Sequence, residues 1–374
     1  MVAKEAVVEL VRDAAAENGA CDVRIAPAFV DETTRTRLRA AFARGDFATW
    51  GYGDDRAVRA TDPATILERA SSVLCVAFAY ATAAPSRAPL TGRVSNYAWS
   101  LDYHERLLHV LRAAARRIDE LAGAPVTAIA CDTKPIAERA YAARAGLGWT
   151  GKHTNLISRR LGSYVFLGEI VTTLELEPDA PLRTGCGACS RCVDACPTGA
   201  LRGDYTIDAT RCISDLTQRT DAIPRELRPL VGEWVWGCDI CQSVCPPTQR
   251  AGERGARADA AVNAFAATPE LVRLLRMRSS EYRRYIARTA MGWRGAAVLR
   301  RNAAVALGNA LDRSTVPALV EALDRDPHPM VRGHAAWALG RIGSPAALAA
   351  LQARMECERD GTVREEIAAV LVRT

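Results

Sequence analysis

The chain has 374 residues, 49% apolar and 25% charged, with net charge +6 and a pI near 8.8. That apolar share supports packed cores and excludes a disordered chain, and the length allows two or three domains. No apolar run reaches the roughly 18 uncharged residues of a membrane helix. The charged opening MVAKEAVVELVRDAAAENG lacks an apolar h-region, so no signal peptide is predicted and a cytoplasmic location is expected.

Val2, Ala6, Val7, Leu10, Val11 and Ala14 recur at helical spacing and predict a first helix over 2–17, with Asn18-Gly19 as its stop. Ser72 to Tyr80 is a continuous apolar run with β-branched and aromatic members, the pattern of a buried strand. Cys75 inside it reads as core. Residues 102–121 read as an amphipathic helix, 126–131 as a second buried strand, 135–145 as a helix with Pro135 in its first turn, and Ser163 to Leu174 as a third strand. Strands alternating with helices predict an α/β or α+β sandwich. EPDAPLRTG, residues 177–185, has the composition of a linker.

The next stretch carries chemistry. Cys186, Cys189, Cys192 and Cys196-Pro197 form C-x2-C-x2-C-x3-C-P, the bacterial ferredoxin run in which the fourth cysteine ligates the other cluster. Cys238, Cys241 and Cys245-Pro246 form a second run, and Cys212 lies between them. Eight thiols suffice for two 4Fe-4S clusters. Two intervening residues let a tight turn aim successive thiolates at one cubane, whereas three followed by proline send the chain away. Three ligands then come locally and the fourth from a distance. This logic assigns Cys186, Cys189, Cys192 and Cys245 to cluster 1, and Cys196, Cys212, Cys238 and Cys241 to cluster 2. Paired C-x2-C motifs also bind zinc, but a zinc ribbon needs only four ligands. Disulfides fit less well, since metal-ligand spacing suits a reducing cytosol.

Beyond residue 250 the patterns are helical. LRRNAAVALG (299–308), VRGHAAWALG (331–340) and VREEIAAVLV (363–372) align without gaps, and Pro317 and Pro345 open the partner helices. This is the signature of a short HEAT-type solenoid. Between Arg273 and Arg301 nine arginines face a single acid, Glu281. Such a stretch suits a phosphate backbone or, equally, a solvated helical face.

The blocks CDTKPIAERAYAARAGLGWTGKHTNLI (131–157), GSYVFLGEI (162–170), NYAWSLDYH (96–104) and RRNAAVALGN (300–309), with the two cysteine runs, closely resemble the epoxyqueuosine reductase family over nearly the whole chain. The resemblance implies an α+β multidomain protein: an N-terminal α/β cobalamin-binding domain (1–178), a ferredoxin-like module with two 4Fe-4S clusters (179–250), and a HEAT-like region that docks tRNA (251–374). The implied reaction converts an epoxide on the modified wobble base of a tRNA anticodon to an alkene, taking two electrons and two protons and losing water. A reduced corrin cobalt would attack carbon, and the departing oxygen needs a proton.

Asp132 matches the family's catalytic aspartate in D-T-x-P. It follows a predicted buried strand, where desolvation is expected to raise its pKa toward that of a usable acid. An aspartate capping the helix near Pro135 is the alternative. Tyr97, Tyr103, His104, Asp132, Arg139, Lys152, Asn155, Leu156 and Leu167 are the implied cobalamin contacts. Gly146, Gly148 and Gly151 either let backbone approach a flat ligand or make turns. Cobalamin proteins with a histidine lower ligand carry D-x-H-x-x-G; Asp102-Tyr103-His104-Glu105-Arg106-Leu107 lacks the glycine, so no such ligand is expected. Pro246-Pro247-Thr248 stands where the family commonly has Pro-Trp-Asn, which puts local packing near Cys245 in question. Arg294, Arg300 and Arg301 are the implied tRNA contacts. A low-potential electron donor is implied as partner, no membrane is expected, and the chain is expected to act as a monomer. Two alternatives are a corrinoid iron-sulfur reductase of a small molecule and a non-catalytic electron carrier. Cys21, Cys131 and Cys357 have no assigned role.

Overall fold

The structure is a computed structural model that describes residues 2–16, 21–132, 134–255 and 261–372. The predicted stop at Asn18-Gly19 and Thr133 of the D-T-x-P block lie outside the described residues. Eight strands occur among the described residues: β1 (Cys21–Pro27), β2 (Ser72–Ala79), β3 (Arg93–Val94), β4 (Thr127–Ala130), β5 (Trp149–Thr150), β6 (Leu156–Ile157), β7 (Val165–Thr172) and β8 (Trp234–Trp236). The chain forms two interleaved units. The first comprises Met1–Ala83, Asp102–Thr210 and Ile240–Ala260; the second comprises Ala84–Leu101, Arg211–Asp239 and Ala261–Thr374. The sequential boundaries at 178 and 250 follow motifs, whereas the units follow compactness and divide the chain differently.

The first unit is built on one sheet in the order β1-β2-β7-β4, antiparallel throughout, so the α/β or α+β alternative resolves to α+β. Every residue of β2 is buried, as its unbroken apolar run predicts. The helix Tyr103–Ala122 packs Leu107, Val110, Leu111, Ala114 and Ile118 inward. Asp102 caps it by accepting from the His104 N–H at 3.1 Å, and left-handed Gly123 ends it. Gly168 of β7 lets it approach, because a Cβ there would lie 2.7 Å from Leu111. The first helix spans Lys4–Ala15 and buries Val7, Val8, Val11 and Ala15, a stripe rotated from the predicted one, with Ala6 exposed.

Val73, Cys75, Ala77, Leu167 and Val171 lie in one core cluster with Tyr141, Ala142 and Ala145. Those last three lie on or beside the helix Glu138–Arg144. It begins at Glu138, not in the turn of Pro135: Ala137 is its cap residue, and Asp132 before it adopts left-handed φ +50°. β5 and β6 make a hairpin from the AGLGWTGK block. Its glycines serve chain packing, because a Cβ on Gly148 would collide with the Ile157 carbonyl and one on Gly146, at φ +78°, with that of Ala180.

The second unit pairs β3 with β8 in parallel and carries the solenoid helices Ala296–Ala310, Val316–Arg325, Pro329–Ile342, Pro345–Cys357 and Gly361–Leu371. Pro317 and Pro345 sit in first turns as predicted. The repeated AxALG face has a steric cause: a Cβ on Gly308 would lie 2.8 Å from Ala338 Cα, and one on Gly340 would lie 2.5 Å from Val370.

Candidate active site and iron-sulfur ligands

Asp132 leaves β4 and is held by three neighbours in the first unit. Its N–H donates to Glu138 Oε1 at 2.5 Å. Its Oδ2 accepts from the Tyr103 hydroxyl at 3.1 Å and pairs with His104 Nε2 at 3.0 Å. His104 Nδ1 meets Asp102 Oδ1 at 2.7 Å. The Tyr103 ring stacks on Phe166 at 3.9 Å, which fixes the start of the helix. The sequence thus places an Asp-His-Asp chain at one helix start, with the cap residue as its outer member.

The electrostatics correct the expected elevation of Asp132. Burial alone would lower the His104 pKa, but hydrogen bonds to Asp102 and Asp132 outweigh it and hold the imidazole up to about 9. The His104 hydrogen bond in turn pulls Asp132 below the usual carboxylate range, against its own desolvation. At neutral pH the proton of this pair sits on the imidazole. Asp132 does not cap the following helix, so the capping alternative fails as well.

Of the implied cobalamin contacts, Arg139 Nη1 donates to the Thr154 carbonyl at 3.1 Å and reaches Asn155 Oδ1 at 3.4 Å. Leu156 and Leu167 share the core cluster beside them. Lys152 instead donates to the Gly187 carbonyl at 3.0 Å. Tyr97 belongs to the second unit, where its hydroxyl accepts from Trp236 Nε1 at 2.8 Å. The same block holds Trp149 Nε1 and His153 Nε2, both sealed from solvent without a hydrogen-bond partner among the described residues. Burial pushes His153 down to about 4, so it is a neutral acceptor or donor. His153 Nδ1 accepts from the Asn155 N–H at 3.3 Å, so its orphaned Nε2, like Trp149 Nε1, is a donor that fits a bound group bearing several amides, as a corrin does.

The four cysteines assigned to cluster 1 belong to the first unit. Burial raises the Cys192 thiol, and negative charge on Cys186 and Cys245 raises it further; Cys245 is raised by burial and by Cys186 and Cys189. Cys196 is different: burial opposes it, but the Thr198 hydroxyl and the N–H groups of Thr198, Ala200 and Leu201 lower its pKa. Cys196 and Cys241 belong to the first unit, Cys212 and Cys238 to the second. The Pro-Pro-Thr departure is accommodated locally: Thr248 is buried, and its Oγ1 accepts from the Ser163 N–H at 3.0 Å.

The arginine expectation needs correction. Arg301 is fully buried; it donates to the carbonyls of Leu216 and Arg219 at 2.9 Å, to that of Asp221 at 2.5 Å and to Asn302 Oδ1. Its donors are consumed inside the protein, so it is closed to a phosphate. Arg300 is clamped on Asp326 through two contacts of 2.7 and 3.2 Å. Arg294 stacks over exposed Trp293 with its guanidinium 3.8 Å from the ring centre. Within the tract 273–301, the exposed arginines without a carboxylate partner among the described residues are Arg278, Arg283, Arg284 and Arg288, on and around the helix Ser279–Tyr285. Composition alone cannot separate these from the clamped ones.

Glu138 is the neighbour that sequence reasoning did not assign, and His104, expected there as a corrin contact, pairs with Asp132. The available signal was a histidine two residues after a helix-capping aspartate, and a glutamate opening the helix after D-T-x-P.

Three family profiles match the chain: "4Fe-4S double cluster binding domain" at residues 185–248, "HEAT repeats" at 294–372 and "Epoxyqueuosine reductase QueG, DUF1730" at 60–133. A double-cluster module joined to a sheet unit with a proton-holding triad makes this an iron-sulfur oxidoreductase. The chain is similar to the epoxyqueuosine reductase of Bacillus subtilis (strain 168), 35% identical over 326 residues that cover 85% of this chain and 83% of that protein. It is also similar to a crystal structure of epoxyqueuosine reductase with an epoxyqueuosine-modified tRNA-Tyr stem loop, at TM-score 0.90 and 31% identity over 99% of this chain and 98% of that one. The Streptococcus thermophilus epoxyqueuosine reductase gives TM-score 0.89 at 30% identity, covering 100% and 99%. The chain belongs to the epoxyqueuosine reductase family. No helix among the described residues is long and apolar enough to cross a membrane.

Proposed function

We propose that this chain reduces epoxyqueuosine to queuosine at the tRNA wobble position, with Asp132 passing protons to the departing epoxide oxygen. The observation that carries the reading is the Asp102-His104-Asp132 chain, which holds a proton at neutral pH in the unit that also holds the cluster 1 cysteines. Asp102 orients the imidazole, His104 stores the proton, and Asp132 presents it. The double-cluster module supplies electrons singly. Cys186, Cys189, Cys192 and Cys245 hold cluster 1, and Cys196, Cys212, Cys238 and Cys241 hold cluster 2.

Cobalamin, when bound, supplies a carbon-directed metal nucleophile that couples one-electron delivery to a two-electron reduction. Tyr103, Arg139, Asn155, Leu156 and Leu167 would hold it, with Trp149 Nε1 and His153 Nε2 available to its amides. The tRNA docks through Arg278, Arg283, Arg284 and Arg288 on its phosphates, and the Trp293-Arg294 stack offers a flat face to an unstacked base. A low-potential electron donor feeds the clusters, and the chain works as a monomer.

The test is anaerobic turnover of an epoxyqueuosine-bearing stem loop by protein reconstituted with iron, sulfide and cobalamin, with nucleosides read by mass spectrometry. Wild type should yield queuosine, and Asp132→Asn should lose at least about 100-fold in rate. Protein that carries eight irons and cobalamin yet leaves the epoxide intact would instead favour reduction of a small molecule.

A further inference from the structure

Converting an epoxide to an alkene and water places both protons on one oxygen: the first when the ring opens to a hydroxyl, the second when that hydroxyl departs. An aspartate carries only one. Asp132 must therefore be reloaded within a turnover. His104 accounts for one proton.

Glu169 offers the other. It stands mid-strand in β7, opposite Cys75 of β2 and Ala130 of β4, and is fully buried. Neither carboxyl oxygen has a hydrogen-bond partner among the described residues. An ionised carboxylate in that state would be strongly destabilising, so Glu169 keeps its proton. Burial first, and then the charges of Glu138 and Asp132, push it well above the carboxylate range. A well-packed apolar side chain would serve stability better there. Glu169 lies on the face of β7 whose Leu167 and Val171 pack with Tyr141 and Ala142 of the helix Glu138–Arg144; Glu138 opens that helix, its Oε1 accepts from the Asp132 N–H at 2.5 Å, and burial pushes it up to about 7. The other groups facing this region are the neutral thiols of Cys75 and Cys131, Arg139 and His104 acting on Glu138, and Arg144 acting on Cys75.

Resting on the reading of Asp132 as proton donor, we propose that Glu138 and Glu169 form an internal proton store that reloads Asp132 for the second protonation. An O–H bond of Glu138 breaks as one forms on the Asp132 carboxylate, and the proton of Glu169 then moves to Glu138. After water and product leave, the store refills from solvent along the same path in reverse. Glu138 and Glu169 do not touch substrate; they act through Asp132.

The full-length protein tests this both without turnover and within one. Infrared spectra at neutral pH in light and heavy water should show a deuterium-sensitive protonated-carboxyl band that Glu169→Gln removes. In single turnover on the stem loop, Glu169→Gln should slow product formation about tenfold, increasingly as pH rises, with stem-loop affinity unchanged. Glu138→Gln, outside the sheet, should shift the basic limb of the pH-rate profile the same way. Absence of the band, or profiles of both variants superimposing on wild type, would overturn the store. So would weakened cobalamin binding in Glu169→Gln with an unchanged pH profile, which would make Glu169 an anchor for the corrin. A fully active Asp132→Asn would instead overturn the donor reading itself, band or no band.

Discussion

Arg301 and Glu169 are both fully buried ionisable groups, one in each unit, and the protein treats them oppositely. Arg301 is surrounded by carbonyls and the Asn302 amide oxygen, so that its donors are used. Glu169 has no hydrogen-bond partner among the described residues. A buried charge with every bond made ties loops to a helix and belongs to architecture; a buried acid with none made holds a proton that only a neighbouring base can draw off. The contrast separates chemistry from scaffolding better than charge or burial alone.

Arg301→Met tests the architectural side and should have the largest effect on stability. It strands the carbonyls of Leu216, Arg219 and Asp221, and removing one partner from such a network costs about 3–5 kcal/mol. Urea unfolding reads this directly; a loss under about 1 kcal/mol would break the comparison. His104→Asn probes the chemical side. With its pKa raised from 6.5 to about 9, His104 binds a proton more tightly folded than unfolded. Its contribution to stability is complete below about pH 6.5 and is lost as pH rises through about 9. The variant should flatten that part of the pH-stability curve and lose about tenfold in turnover near neutrality, the deficit shrinking toward acid pH where Asp132 protonates unaided. The smallest effect belongs to the surface: Arg283→Ser should weaken stem-loop binding a few-fold and reduce the log-log salt slope by about 0.7–0.9. Arg300→Ser, already neutralised by Asp326, should leave that slope unchanged.

Much of this was legible beforehand where one local rule dominates. The unbroken apolar run of β2, the prolines opening solenoid helices and the cysteine spacing each follow from a single constraint. β1 was not legible, since Cys21–Pro27 mixes Asp22 and Arg24 with apolar residues and is defined by pairing with β2. The start of the helix after Asp132 was misplaced because the loop there is shaped by tertiary bonds to His104 and Glu138, not by Pro135. The site aspartate could be found from its motif, but the sign of its pKa shift could not. Desolvation is readable from a neighbouring strand; a histidine arriving from another helix is not. Arg301 shows the same limit in reverse, since a basic run says nothing about which members point inward.

The interleaving of the two units bears on how the protein is made. The first unit is incomplete until Ile240–Ala260 has left the ribosome, although its sheet ends at Thr172. Cys186, Cys189 and Cys192 emerge well ahead of Cys245 and wait as exposed, oxidisable thiols on a nascent chain. With Cys245 proposed as its fourth ligand, cluster 1 closes only after residue 245 of 374 has been made.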